Sequence, residues 1–348
     1  MNRETAQQVG SSRQTEEAPA ARAYPGLDLI RLLAALMVAM YHFAFFHPLH
    51  NHVLPMHQLA DWGWCGVQVF FVISGFVIAF SASRKNVAQF VVSRAGRLYP
   101  AAWICATISM FVAPRPIADY IRSITLFPLG PWVNGVYWTL AVEVAFYALI
   151  AVALWRRWSL HVVAIALGSF SALCLLVRSA GFDLPVGPFG HYGCYFAFGM
   201  LLFERRSIAF AAVFFVAGIV GVYWAAAELG FGFFAPLAWA AATLLCVAVV
   251  FGNERVCRVT KAWPTRTLGL MTYPLYLVHD SVGTPILRLG IAAALIASLA
   301  VAFAILPLEG FVRRRVFGPL LDRLPTGNRC NAAAGERPIR PLSSPDAH

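Results

Sequence analysis

Apolar runs long enough to cross a bilayer recur along almost the whole sequence. They lie at about residues 27–46, 64–82, 98–113, 136–155, 159–177, 190–204, 208–227, 233–251, 268–287 and 291–311. A helix needs about 20 residues to span ~30 Å of hydrocarbon. Inside hydrocarbon every peptide group must find its partner within the protein, which leaves helices and closed barrels. These runs are continuous rather than alternating, so they predict helices. Of 348 residues, 59% are hydrophobic and only 12% charged, against roughly 25% charged in a soluble domain. The mean hydropathy of +0.68 excludes a disordered chain and argues against a soluble enzyme or a singly anchored head. The expected fold is an all-α, polytopic integral membrane protein of about ten transmembrane helices, with residues 26–317 as one membrane domain. Residues 1–25 and 318–348 are polar and read as disordered tails. The first of them lacks the apolar core of a cleavable signal peptide. Residues 114–135 read as a re-entrant or interfacial stretch.

The loops test this topology. One alternating set holds Arg84, Lys85, Arg94, Arg97, Arg156, Arg157, Arg205, Arg206, Arg255, Arg258, Lys261 and Arg266, twelve cations. The other set holds four: Arg115, Arg122, Arg178 and Arg288. Lys and Arg accumulate on the cytoplasmic side, which puts both termini in the cytoplasm and makes the number of crossings even. The same rule explains the net charge of +11. No basic patch interleaves with aromatics in a polar domain, so a nucleic-acid partner is not expected.

Ionisable side chains are costly in hydrocarbon, so each one there is a candidate functional group. The first run, LDLIRLLAALMVAMYHFAFF, carries Asp28, Arg31 and His42. Eleven residues separate Arg31 from His42, three helical turns on nearly one face and roughly 16 Å along the axis. Arg31 reads either as a snorkelling anchor helped by Asp28 or as an anion site. His42 reads either as a packing histidine or as a general base, since its ordinary pKa suits proton transfer near neutrality. Glu143 lies deep in the fourth run and must find a partner inside the bundle. His279 and Asp280 follow Pro274 in the ninth, and Pro-kinked polar helices commonly line cavities. Arg94 and Arg97 share a face if helical; they read first as positive-inside topology alone, and otherwise as a pair that could grip phosphate in forked hydrogen bonds.

Other constellations carry less. His47, His50, His52 and His57 form a histidine-rich outer loop. They lack a thiolate partner, and Pro48 and Pro55 break any regular face, so no metal site is assigned. The seven cysteines show no CxxC pair and read as small packing residues. Gly66, Ser74 and Gly75 suit close helix packing, and Ser74 has no triad partner nearby in sequence.

Taken in order, the motifs LDLIRLLAALMVAMYHF, GVQVFFVISGFVIAF, FVVSRAGRLYPAAW, YWTLAVEVAFY and YPLYLVH resemble those of the acyltransferase-3 family of integral membrane acyltransferases. The resemblance covers about residues 25–317. It implies acyl transfer, usually of acetyl from acetyl-CoA as co-substrate, to a hydroxyl of a carbohydrate or glycolipid, at the bacterial inner (cytoplasmic) membrane. No permanently bound cofactor is implied. On this reading His42 is the general base, with Glu143 as a second catalytic candidate orienting or charge-balancing a cationic partner. Arg31, Arg94 and Arg97 bind the CoA phosphates. Asp28, Trp138, Tyr276 and His279 are candidates for substrate binding or channel lining. The sequence departs from the family pattern at Val144, where a second acidic residue often follows the glutamate. A fused hydrolase-like domain, which some members carry, is not expected in the short C-terminal tail, so transfer would finish on this domain or on a separate acceptor-side protein. The alternative from the residues alone is a transporter or flippase of a glycolipid or small anion. It predicts an internal repeat, and the first-half motifs have no counterparts after residue 180. A histidine-dependent metal sensor would need only the outer loop and ranks last.

Overall fold

The computed structural model describes residues 24–45, 61–182, 185–230, 232–260 and 263–325, and these contain helices and no strand. The helices are α1 (Pro25–Phe45), α2 (Gly66–Ala82), α3 (Val87–Val112), α4 (Ile117–Thr125), α5 (Trp138–Trp155), α6 (Leu160–Ser179), α7 (Pro188–Glu204), α8 (Ile208–Glu228), α9 (Phe234–Phe251), α10 (Asn253–Val259), α11 (Thr265–Val278), α12 (Ile291–Val312) and α13 (Gly318–Asp322). Among the described residues, seven helices are long and apolar enough to cross a membrane: α1, α2, α5, α6, α8, α9 and α12 with its continuation into α13. The remaining three apolar runs are also helical. They differ from the seven for local reasons. α3 carries Arg94 and Arg97, α7 has 17 residues, and α11 has 14 before it widens into a π-helical turn at His279–Gly283.

Two boundaries differ instructively from those read in the sequence. The third run begins eleven residues early, at Val87, because Asn86 and Gln89 form a capping box. The Gln89 N–H donates to Asn86 Oδ1 (2.9 Å) and the Asn86 N–H to Gln89 Oε1 (3.3 Å). Arg94 and Arg97 are therefore helical rather than in a loop. At the other end, the packed region extends past residue 317. Phe317 lies over Gly96 and stacks on Trp103, and the Pro325 carbonyl accepts from both Asn86 Nδ2 and Gln89 Nε2. The stretch 114–135, read from sequence as re-entrant or interfacial, contains the short helix α4. The histidine-rich loop and the first tail up to residue 23 lie outside the described residues. Among those described, no group of three metal-ligating side chains occurs.

Helix association in a bilayer depends on close packing rather than on the hydrophobic effect. α2 is the hub: 83% of its spanning window is buried, against 17% for α8 and 22% for α12. It reaches that position by a glycine crossing with α7. A Cβ added to Gly75 would overlap the Phe196 carbonyl oxygen, and one added to Gly199 would overlap the Val72 carbonyl oxygen. The backbones can approach this closely only without side chains at those two points. Gly66 similarly presses on Ala34 of α1. The peripheral helices expose apolar side chains such as Ile208, Val213 and Val216 on α8 and Ile296 and Phe303 on α12, a surface suited to lipid.

Candidate functional site

Two groups of polar side chains lie in the bundle centre, and α1 contributes to both. The first is a histidine pair. His42 is partly buried near the C-terminal end of α1, and His279 is fully buried where α11 gives way to the π turn. His279 Nε2 lies 2.9 Å from His42 Nδ1. His42 Nδ1 is also 3.0 Å from the Val38 carbonyl, and His279 Nδ1 is 2.8 Å from the Tyr276 carbonyl. The sequence reading treated these histidines as separate candidates. The fold joins them across 237 residues.

The second group surrounds a cavity of about 520 Å³. α1, α2, α3, α5 and α11 build its walls, and the segment 313–321 closes one side. Arg31, Lys85, Arg94, Arg97, Arg266, Arg313 and Arg314 all line it, opposed by the carboxylates of Asp28 and Glu143. Arg31 pairs loosely with Asp28 (3.6 Å), and Arg97 with the buried Glu309 (4.0 Å). Arg94 Nη2 donates to Ser81 Oγ (3.1 Å), whereas its buried Nε has no hydrogen-bond partner among the described residues. Lys85 sits in the loop before α3. Burial, helped by the nearby Arg94 charge, pushes its ammonium down to about 8.

Glu143 lines the same cavity from α5. Its Oε1 accepts from Ser74 Oγ (3.1 Å) and from Tyr147 OH (2.7 Å). Of the two kinds of partner open to it from sequence, a hydrogen-bond donor or a cation, its direct hydrogen bonds are to hydroxyls. Ser74, read as a packing residue, is part of this trio.

Tyr276 and Phe70, whose rings meet edge to face at 5.6 Å, both line the cavity. Tyr276 OH accepts from Thr139 Oγ1 (3.1 Å), and its ring lies 5.9 Å from that of His279. Tyr276 thus belongs both to the cavity wall and to the surroundings of the histidine pair. Of the residues singled out in the sequence, Asp28, Arg31, Arg94, Arg97, Glu143 and Tyr276 line the cavity, and His42 and His279 form the pair beside Tyr276. Trp138 does not line it. It packs beside Tyr192 (5.4 Å) and Phe71 (6.4 Å) in an aromatic cluster. Sequence reasoning missed Ser74, Tyr147, Glu309 and the cavity role of Lys85, Arg266, Arg313 and Arg314. A signal existed for Glu309, an acid inside the last apolar run. The arginines were accounted for by topology alone.

A multi-helix bundle with cations, a buried carboxylate and a histidine pair converging at its centre defines a membrane protein with an internal polar site, the arrangement expected where charged groups serve function. A family described as "Acyltransferase domain" matches residues 24–308, and the chain belongs to it. Among curated proteins, the chain is 31% identical over 182 residues to "Exopolysaccharide production protein ExoZ" of Rhizobium meliloti (strain 1021), covering 47% of this chain and 51% of that one. It is 27% identical over 214 residues to an "O-acetyl transferase" of Shigella phage Sf6 (51% and 62%). It is 30% identical over 141 residues to "Nodulation protein 10" of Rhizobium leguminosarum bv. viciae (30% and 38%). The chain therefore spans from about two fifths to three fifths of the length of the curated relatives it matches. No solved structure matches.

Proposed function

We propose that this protein transfers an acyl group, most simply acetyl, from cytoplasmic acyl-CoA to a hydroxyl of a carbohydrate or glycolipid acceptor at the bacterial inner membrane. The observation that carries the reading is a cavity lined by seven cationic side chains and by Tyr276, whose ring lies 5.9 Å from that of His279 in the His42–His279 pair. CoA carries several phosphate charges, and guanidinium groups bind phosphate in forked hydrogen bonds. The buried, unpartnered Nε of Arg94 is a donor that a phosphate oxygen would satisfy. Three further helices, α3, α7 and α11, join the seven apolar ones to give ten crossings with both termini in the cytoplasm. The cations then lie at the cytoplasmic ends of α1, α3, α11 and α12. Arg31 and His42 are about 16 Å apart along α1, a length that a pantetheine arm can cover. The arm passes Glu143, Ser74 and Tyr147 and displaces the Phe70–Tyr276 contact to present its thioester to His42.

The chemistry needs no enzyme nucleophile, because the thiolate is a good leaving group. His42 takes the proton of the acceptor hydroxyl as its oxygen bonds to the thioester carbon. The tetrahedral intermediate collapses, the C–S bond breaks, and the proton passes from His42 to the departing sulfur. The products are an acyl ester and free CoA thiol. The name of the phage relative supports O-acetyl transfer, and that of the rhizobial relative supports a polysaccharide setting. Membership of an acyltransferase family weighs against the transporter alternative.

The test uses membrane vesicles and acetyl-labelled CoA, following thioester loss and label in lipid-linked and soluble glycans. Transfer is expected in wild type. His42→Ala should lower it by about 10²–10⁴-fold, the usual contribution of a general base, with donor binding retained. Arg31→Ala should instead weaken donor binding. Wild-type vesicles that neither bind nor consume acyl-CoA, with cell glycans supplied, would overturn the reading.

A further inference from the structure

We propose that His279 is a positioning residue for acyl transfer, holding His42 in the tautomer whose lone pair lies on Nε2. The inference rests on the reading of His42 as the base and adds what aims it. A carbonyl oxygen can only accept. The Tyr276 carbonyl, 2.8 Å from His279 Nδ1, therefore requires a proton on that nitrogen. The neutral His279 ring then carries its lone pair on Nε2. That atom lies 2.9 Å from His42 Nδ1, which must donate to it. The Val38 carbonyl, 3.0 Å from the same His42 Nδ1, makes the same demand independently. Two acceptors thus fix the proton on His42 Nδ1 and leave its lone pair on Nε2.

The surroundings hold this arrangement. His279 is fully buried, with the rings of Phe43 (6.1 Å) and Tyr276 (5.9 Å) beside it. The helix changes pitch at His279 into a π turn, a feature that recurs at functional sites. When His42 Nε2 takes the acceptor's proton, the new charge on its ring is met by the His279 lone pair, which is polarised in turn by the Tyr276 carbonyl. No proton needs to leave the pair. The proton returns from His42 Nε2 to the sulfur as the C–S bond breaks. A carboxylate performs this orienting task in the serine-hydrolase triad. A neutral imidazole performs it here.

Three substitutions separate this role from simple packing. In His279→Gln the amide oxygen falls near the Nε2 position and can accept from His42. In His279→Asn the amide falls near the Nδ1 position, so it can meet the Tyr276 carbonyl but leaves His42 without its acceptor. His279→Ala provides neither. The expected order of kcat is wild type, then Gln, with Asn and Ala lower by about 10²-fold, the cost of a misplaced catalytic group. KM for acetyl-CoA should be unchanged in all variants that remain monodisperse in detergent. Asn as active as Gln, Gln no better than Ala, or Ala as active as wild type would each overturn the inference. If Ala fails to fold, the Gln–Asn comparison still decides it. Absence of transfer in wild type refutes the acyl-transfer reading, whereas an active wild type with the wrong variant order refutes only the role of His279.

Discussion

Single residues carry their chemistry through neighbours that the sequence does not display. Glu143 accepts from both Ser74 and Tyr147 through one oxygen. Glu143→Gln can keep both bonds while removing the charge, so it should fold normally and lose acyl transfer several-fold. Glu143→Ala leaves two donors without their acceptor and should cost about 1–3 kcal/mol of stability. Thermal unfolding in detergent, set beside turnover, separates the two effects. Full activity in Glu143→Gln would remove the carboxylate from the mechanism. Lys85 offers a pH test. Its ammonium is held down to about 8 from an ordinary 10.5, so its attraction for an anionic donor is present below pH 8 and fades above it. Donor affinity should fall as pH rises through that value, and Lys85→Arg should flatten the profile. The linkage to folding has the opposite sign. The folded state disfavours the charged lysine, a penalty that is full below pH 8 and relieved as pH climbs toward 10.5.

Elements depend on a few special positions. The α2–α7 crossing requires hydrogen at both Gly75 and Gly199, since each faces a backbone carbonyl that cannot move aside like a side chain. Gly75→Leu should therefore exceed the ~1–3 kcal/mol typical of overpacking and abolish recovery of monodisperse protein. Gly187→Ala, with nothing within 4 Å of the added carbon, should be silent. Size-exclusion profiles of the solubilised variants check both. Sequence spacing revealed Gly66 and Gly75 as packing glycines because small residues in an apolar run have few other uses. It did not reveal Ser74's role, because Ser74 looks the same whether its hydroxyl returns to its own helix or reaches a carboxylate 69 residues away. The start of α3 was legible in principle from Asn86 and Gln89. An apolar-run criterion overlooked it because Gln89, Ser93, Arg94 and Arg97 interrupt the apolar residues of its first turns.

Across the whole molecule, the asymmetry of cations sets one end of the bundle apart. Lys85, Arg94, Arg97 and Arg266, four of the twelve loop cations from which the cytoplasmic side is expected, also line the cavity. If both termini are cytoplasmic, Leu289→Cys should react with a membrane-impermeant maleimide in intact cells, in a cysteine-free background. Glu254→Cys should react only after permeabilisation. The reverse pattern would invert the bundle and put the cavity on the wrong side for cytoplasmic CoA.

The sequence by itself determined the helical class, the membrane environment and which polar residues lie within apolar runs. These follow from local composition and from the cost of leaving peptide groups or charges unpaired in hydrocarbon. It also carried the motifs that identify the family. Only the tertiary structure decided which of those residues meet. It brought His279 to His42, gave Glu143 two hydroxyl partners, gathered cations from α1, α3, α11 and the α12–α13 junction around one cavity, and left Trp138 outside it. The physical reason is that helix crossings fix long-range partners. Such crossings depend on paired contacts like Gly75 with Phe196 and Gly199 with Val72, which no single run of residues encodes alone.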